Sequence, residues 1–127
     1  MGFIKARLDR QAIGKAAEEA AVCFLRAHGF VIVLRNFRRR LGELDIVARA
    51  GSLLVIAEVR TRSGLSYGGA AASVGSLKQR RILRASVQLL QQRADLARLR
   101  VRFDVLVVHD ACGAQPRIEW IQHAFGA

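Results

Sequence analysis

The stretch that decides the fold covers residues 42–60 and reads GELDIVARAGSLLVIAEVR. It contains two runs rich in Val, Ile and Leu, which predict β-strands over residues 43–50 and 53–60. Gly51 and Ser52 lie between these runs, and glycine at the first central position suits the type II′ turn of a two-residue hairpin. The stretch therefore predicts an antiparallel strand pair with a tight turn.

The turn fixes which residues face each other across the hairpin. Counting outward from it places Asp45 opposite Glu58 and Glu43 opposite Arg60. Opposite residues have Cβ atoms about 4.5 to 5.5 Å apart, so two carboxylates are expected to face each other. Like charges at that distance are destabilising unless a cation lies between them, and carboxylate oxygens suit Mg²⁺ or Mn²⁺. Two alternatives remain open: each carboxylate pairs with an arginine, or a one-residue bulge breaks the register.

Upstream of the hairpin, the sequence predicts a helix and a further strand. Apolar residues recur at spacings of three and four from Ile13 to Leu25, which predicts an amphipathic helix that ends near His28 and Gly29. Residues 30–35 predict a strand. The three consecutive strands are expected to form an antiparallel meander.

Downstream of the hairpin, the sequence predicts a loop, a helix and two strands. Residues 61–76 hold four glycines among small and polar side chains and predict a mobile loop, a candidate for closing on a substrate. Ser76 is the predicted N-cap of a helix that runs into the nineties, and strands follow over residues 102–108 and 118–121. A strand, a helix and a strand in that order predict a right-handed crossover to a parallel neighbour. The expected architecture is one α/β domain over residues 1–127, a mixed sheet with helices packed on it.

The charge balance points to an anionic partner. The 127 residues include 21 Lys plus Arg and 10 Asp plus Glu, a formal net charge of +11. Most of the cations are arginine, whose planar guanidinium suits phosphate, so nucleic acid is the expected partner and an acidic protein is the alternative. No apolar run approaches a membrane-spanning length, and the cytoplasm is the expected location. Cys23 and Cys112 lack the spacing of a zinc site.

Three charged side chains outside the hairpin are further candidates for a site. At 100° per residue, Glu18 lies beside Leu25 at the edge of the apolar stripe, whereas Glu19 points to solvent, so only Glu18 is expected to reach the sheet. A solvated Glu18 is the alternative. Lys78 projects near the apolar side of its helix, where it either faces the site or extends past the edge of the core. Asp104 is either a support for the site or an ion-paired strand residue.

Several motifs carry a family resemblance. GELDIVAR at residues 42–49 and LLVIAEVRTRSG at residues 53–64 resemble the YraN-like family of small bacterial proteins. The similarity continues along most of the chain, in AAVCFL at 20–25, RNFR at 35–38, KQRR at 78–81, RFDVLVV at 102–108 and IEWIQHAF at 118–125. That family in turn resembles the PD-(D/E)xK nuclease superfamily, above all the archaeal Holliday-junction resolvases. The resemblance implies a restriction-endonuclease-like core in the order αβββαβ.

The resemblance also implies roles for individual residues. Asp45 matches the metal-binding Asp of the superfamily, Glu58 the Glu of its ExK motif, and Glu18 the helix glutamate that completes the metal shell. The implied cofactor is Mg²⁺ or Mn²⁺. Arg60 stands where the motif has Lys, and an arginine binds phosphate but does not readily exchange a proton. Lys78 is therefore the candidate substitute for the motif Lys.

The implied function is a metal-dependent endonuclease or resolvase-like enzyme that acts on DNA, with DNA favoured over RNA. A resolvase cuts two strands symmetrically, so this function also implies a homodimer. The alternative is a non-catalytic nucleic-acid-binding module on a degenerate nuclease fold. Nine cations that flank the acidic segments are candidates for binding the phosphates of a duplex: Arg35, Arg38, Arg39, Arg40, Arg62, Lys78, Arg80, Arg81 and Arg84.

Overall fold

A computed structural model describes residues 2–62 and 73–126. The elements are, in order, α1 (Gly2–Ala27), β1 (Val31–Arg39), β2 (Gly42–Ala50), β3 (Leu53–Arg62), α2 (Ser76–Gln92), α3 (Ala94–Ala97), β4 (Arg100–His109) and β5 (Arg117–Phe125). The strands form one sheet in the order β1-β2-β3-β4-β5, in which β3 and β4 are parallel and the other neighbours are antiparallel. The predicted mixed α/β class, with its meander and parallel neighbour, is confirmed. The arrangement is consistent with a restriction-endonuclease-like core.

The turn between β2 and β3 has the predicted geometry. Gly51 has a φ of +59°, whereas Ser52 does not adopt a positive φ. A type II′ turn requires a positive φ only at its first central residue. The flanking residues Ala50 and Leu53 pair with each other, so the predicted hairpin register is confirmed.

The ladder between β2 and β3 is short. Its last pair is Ile46 with Ala57. The predicted pairs of Asp45 with Glu58 and of Glu43 with Arg60 lie beyond this end and are not part of the ladder. The start of β2 and the end of β3 therefore lie side by side without pairing, and the acidic residues of the hairpin lie in this unpaired part.

One helix packs on each face of the sheet. α1 buries Val22 and Leu25 in a cluster with one face, and α2 buries Ile82 and Leu89 in a cluster with the other. Alternate residues of β4, namely Phe103, Val105 and Val107, belong to the cluster on the α2 side. Each fully buried aliphatic side chain stabilises the fold by about 1.5 to 3 kcal/mol. The α2 side of the sheet is also the side on which the candidate site lies.

Helix α1 is longer than predicted but ends where expected. After Ala27, Gly29 takes a φ of +87°, and the N–H of Phe30 donates to the carbonyl oxygen of Leu25 at 3.0 Å, as in a Schellman cap. Residues 2–15 are exposed, because only the second half of the helix packs on the sheet. The apolar periodicity of the sequence identifies that packed half alone.

The segment between β3 and α2 differs from the prediction. Ser76 is the first residue of α2, and its N-cap is Gly75, so the prediction of Ser76 as N-cap is wrong by one residue. The carbonyl oxygen of Gly75 accepts the N–H of Gln79 at 2.9 Å. Most of the predicted mobile loop, residues 63–72, lies outside the described residues. Within residues 2–62 and 73–126, no helix has both the length and the apolar character needed to cross a membrane.

Candidate active site

Asp45 and Glu58 lie together where β2 and β3 stop pairing. Asp45 Oδ2 accepts a hydrogen bond from the backbone N–H of Val59 at 2.9 Å, which holds the Asp45 carboxylate against β3. The Glu58 side chain is 8% exposed. Burial and the adjacent, hydrogen-bonded Asp45 raise the pKa of Glu58 to about 8, against the opposing charges of Lys78 and Arg60. At neutral pH the pair therefore retains a proton unless a further cation binds it.

Lys78 lies beside this carboxylate pair. Its Nζ is 3.6 Å from Oε2 of Glu58 and 3.8 Å from Oε1 of Glu43. The residue belongs to the first turn of α2, and of its two open interpretations the structure supports the one in which it faces the site. A single ammonium group thus links carboxylates that come from two strands.

Asp45 and Glu58 line a cleft to which Glu43 also contributes. Glu43 was not among the predicted site residues. Its Oε2 is 3.5 Å from Nε of Arg38. The predicted hairpin register placed Glu43 opposite Arg60 on β3 and gave no indication of a contact with α2. The signal in the sequence is Gly42, which precedes Glu43.

Gly42 allows β2 to pack directly on α2. A Cβ atom at Gly42 would overlap the backbone carbonyl oxygen of Arg81. Any side chain here would therefore push the start of β2 away from the helix. This close approach brings Glu43 to Lys78.

Glu18 lies apart from the carboxylate pair. Its Oε1 accepts hydrogen bonds from Nε of Arg35 and Nδ2 of Asn36, both at 2.9 Å. Asn36 has a φ of +53°, a conformation that asparagine tolerates better than most residues, and it was missed in the sequence. Glu19 also reaches β1, through a 2.6 Å contact with Nη2 of Arg35. The prediction that only Glu18 reaches the sheet is wrong, because the arginine is long enough to reach both glutamates.

The carboxylate pair fits a divalent cation that takes oxygen ligands. Mg²⁺ is commonly held by one or two carboxylates, with waters and substrate phosphates as its other ligands. Asp45 and Glu58 supply two such carboxylates, whose mutual repulsion a cation would remove. In the part of the chain that the structure describes, no group of three acidic, His or Cys side chains gathers closely enough to hold a metal. Glu18 as a third metal ligand stays a prediction.

The nine predicted phosphate-binding cations differ in their surroundings. They lie on β1 and the turn after it (Arg35, Arg38, Arg39, Arg40), at the end of β3 (Arg62) and on α2 (Lys78, Arg80, Arg81, Arg84). Arg35 contacts two carboxylates, which offset its charge. Arg80, Arg81 and Arg84 are exposed on α2. Of the nine, Lys78 contacts Glu58 of the carboxylate pair, and Arg38 contacts Glu43 beside it.

The surroundings of Asp104 indicate a structural role for this residue. It is fully buried and accepts two hydrogen bonds from Arg102, at 2.9 Å each, and one from Nε1 of Trp120 at 2.8 Å. The backbone N–H of His123 adds a fourth at 3.0 Å. The structure thus supports the ion-paired interpretation of Asp104.

Cys23 is exposed and carries no disulfide.

Comparison with known proteins assigns the chain to a family. A model described as "Uncharacterised protein family UPF0102" matches residues 17–108. The chain belongs to the UPF0102 family. This is the family that the sequence motifs indicated, and the matched UPF0102 segment includes Glu18, Asp45, Glu58 and Lys78.

Individual UPF0102 proteins match almost the whole chain. The UPF0102 protein of Cupriavidus taiwanensis is 47% identical over 121 residues, which cover 94% of this chain and 86% of the relative. That of Desulforapulum autotrophicum is 43% identical over 117 residues, covering 92% and 95% of the two chains. That of Legionella pneumophila strain Philadelphia 1 is 36% identical over 114 residues, covering 90% and 94%. The similarity to UPF0102 proteins thus extends well beyond the motifs around the site.

Proposed function

We propose that this UPF0102 protein is a metal-dependent nucleic-acid phosphodiesterase that acts on DNA as an endonuclease or resolvase-like enzyme. The observation that carries the proposal is the Asp45–Glu58 pair, with Lys78 3.6 Å from Glu58. Two carboxylates at the open end of a hairpin, with a lysine from α2 beside them, match the chemistry implied by the PD-(D/E)xK resemblance. The net charge of +11 supplies the general attraction to phosphate.

In this proposal, Asp45 and Glu58 would hold Mg²⁺ or Mn²⁺, and the resemblance implies that the backbone carbonyl of Val59 would add a ligand. When bound, such an ion lowers the pKa of a coordinated water and stabilises charge on the scissile phosphate. The Val59 N–H fixes Asp45 through its 2.9 Å hydrogen bond. Glu58 has to release its proton to bind the ion, which favours binding at higher pH.

In this proposal, Lys78 and Arg60 divide the two functions of the motif lysine: Lys78 transfers a proton and Arg60 binds the scissile phosphate. The Lys78 ammonium lies beside Glu58 and, unlike a guanidinium, exchanges a proton readily enough to protonate a leaving oxygen. Arg60 follows Glu58 by two residues on the same strand and therefore points to the same face. Its fixed charge suits binding of the scissile phosphate, without proton transfer.

The surface favours a duplex over separated strands. Single-stranded nucleic acids are commonly bound by stacking bases on aromatic side chains, but aromatic residues form only 6% of this chain. Its one Trp, Trp120, packs edge-on against Phe24 and Phe30 and donates its N–H to Asp104. The cations on β1 and α2 are suited to phosphate contacts that position a duplex without reading its sequence.

A second candidate is a nucleic-acid-binding module without catalysis. It is favoured by Arg60 at the position of the motif lysine, and by the hydrogen bonds from Arg35 and Asn36 of β1 that occupy the Glu18 carboxylate. Such a module keeps the basic surface and the fold, but it does not cut.

The test is cleavage of labelled four-way-junction, flap and linear DNA, and of duplex RNA, with Mg²⁺ or Mn²⁺. Wild type is compared with Asp45→Asn, which removes charge at constant shape, and with Asp95→Asn, a control on an exposed pair with Arg93. We expect metal-dependent DNA cleavage that falls at least 100-fold in Asp45→Asn and is unchanged in Asp95→Asn. Salt-sensitive binding without cleavage would support the second candidate, and neither binding nor cleavage would contradict both.

A further inference from the structure

We infer that Arg39, Lys78 and Arg81 form a discrete phosphate-binding pocket beside the carboxylate pair. The pocket is proposed to hold one phosphodiester group of a nucleic acid next to the one that is cleaved. Its place in cleavage rests on the proposed function, whereas its affinity for phosphate does not. It differs from the other surface cations because the two chain segments that carry its residues are in direct backbone contact at Gly42 and Arg81.

The pocket lies where the β1–β2 turn meets α2. Its lining consists of Arg39, Gly42, Glu43, Lys78 and Arg81, and its volume is about 180 Å³. A water molecule occupies about 30 Å³ in the liquid, so the pocket has room for a phosphate group with some of its hydration. Three of its five lining residues are cationic, which favours an anion of that size.

Arg39 is held in place by neutral groups. Its guanidinium lies 3.9 Å from the centroid of the Phe37 ring. It donates hydrogen bonds to the carbonyl oxygen of Arg38 at 2.8 Å and to Oε1 of Gln92 at 3.2 Å. Each of these partners orients the guanidinium without cancelling its charge. An oriented, uncompensated arginine binds phosphate at a lower entropic cost than a free one.

The two walls of the pocket are in direct backbone contact. Gly42 lies against the carbonyl oxygen of Arg81 with no space for a Cβ atom. The positions of Arg39 and Glu43 on one wall are therefore fixed relative to those of Lys78 and Arg81 on the other.

Glu43 connects the pocket to the carboxylate cleft. It is the one acidic residue in the pocket lining, and its carboxylate is offset by Lys78 at 3.8 Å and Arg38 at 3.5 Å. Glu43 also lines the cleft that contains Asp45 and Glu58. A phosphate in the pocket would thus lie beside the site of cleavage and determine which neighbouring bond reaches the carboxylates.

The first experiment uses inorganic phosphate as a probe of the full chain, without metal. Arginine side-chain N–H signals are followed by NMR, with sodium chloride at matched ionic strength as a control. We expect saturable shifts at Arg39 and Arg81, and none at Arg98, an exposed arginine that follows α3. Equal shifts at all three arginines, or the same shifts with chloride, would overturn the inference.

The second experiment measures binding of a 20-base-pair DNA duplex in EDTA. Arg81→Gln and Arg39→Gln are each expected to weaken binding about tenfold or more, as for loss of a charge-assisted hydrogen bond. The matched control Arg98→Gln is expected to change it less than about threefold, because Arg98 is an exposed cation outside the predicted binding surface. Circular dichroism verifies the fold of each variant. Equal losses in Arg81→Gln and Arg98→Gln would refute the pocket.

These binding results are separable from the cleavage test. Phosphate binding without cleavage in any metal would contradict the proposed enzyme but leave the pocket intact. Metal-dependent cleavage, together with uniform effects of all three arginine variants, would contradict the pocket but leave the enzyme intact.

Discussion

Replacing Glu58 by glutamine is expected to stabilise the protein at pH 9 and to have a much smaller effect on its stability at pH 5. The folded state raises the pKa of Glu58 from 4.5 to about 8, so the native protein keeps a proton that the unfolded chain releases over this range. The stabilisation that comes from protonated Glu58 is therefore fully present below pH 4.5 and is lost as the pH rises toward 8.

The magnitude follows from this difference in pKa. One pH unit corresponds to about 1.36 kcal/mol, so the rise from 4.5 to about 8 corresponds to about 5 kcal/mol of lost stability. At pH 7 the loss is about 3 kcal/mol. Glutamine carries no charge, and its amide can donate to Asp45 as the protonated Glu58 does, so Glu58→Gln avoids this loss.

The assay is urea unfolding at pH 5, 7 and 9 in EDTA, followed by Trp120 fluorescence and circular dichroism. The difference in unfolding free energy between Glu58→Gln and wild type should grow from about 1 kcal/mol or less at pH 5 to about 5 kcal/mol at pH 9. Asp95→Asn is the control, because Arg93 lowers the pKa of Asp95 and the group stays ionised throughout. A difference that does not change with pH would refute the raised pKa of Glu58 and the close carboxylate pair.

Three further outcomes are expected. Gly42→Ala should destabilise the protein by about 1 to 3 kcal/mol in urea unfolding, because the new methyl group meets the Arg81 carbonyl. Gly14→Ala is the control and should raise stability by up to about 1 kcal/mol, because Gly14 has open space around it in an exposed helix. Equal effects of the two substitutions would contradict the contact between Gly42 and Arg81. Asp104→Asn should cost about 1 to 3 kcal/mol and shift Trp120 emission, because the partly buried Arg102 loses its counter-charge and the amide cannot accept all the hydrogen bonds of the buried carboxylate; an unchanged unfolding midpoint would count against this. If the protein is a resolvase, sedimentation equilibrium should give twice the monomer mass of 14.0 kDa, and a monomer on junction DNA would exclude that form of the proposal.

The parts of the fold that were predictable rest on local rules. The Gly51 turn, the register of Ala50 with Leu53 and the α1 cap at Gly29 each follow from the conformational preferences of a few adjacent residues. Alternation and helical periodicity then identify the packed faces, since burial determines both. The start of α1 escaped this reasoning because an exposed helix needs no apolar stripe.

The parts of the site that were missed depend on contacts between distant segments. Glu43 reaches Lys78 because Gly42 packs on α2, and a single glycine does not announce which element approaches it. Glu19 reaches β1 because Arg35 is long, which a helical projection of α1 leaves out. The Asp45–Glu58 pair could be predicted from the sequence because both residues belong to one hairpin.

The central claim is that Asp45 and Glu58 bind a divalent metal together with nucleic acid. The most direct measurement is electron paramagnetic resonance of Mn²⁺ with the protein and a non-cleavable phosphorothioate DNA junction at pH 8, which counts bound ions in wild type, Asp45→Asn and Asp95→Asn. We expect wild type and Asp95→Asn to bind at least one more Mn²⁺ per chain than Asp45→Asn. Equal numbers of bound ions in all three proteins would contradict the claim.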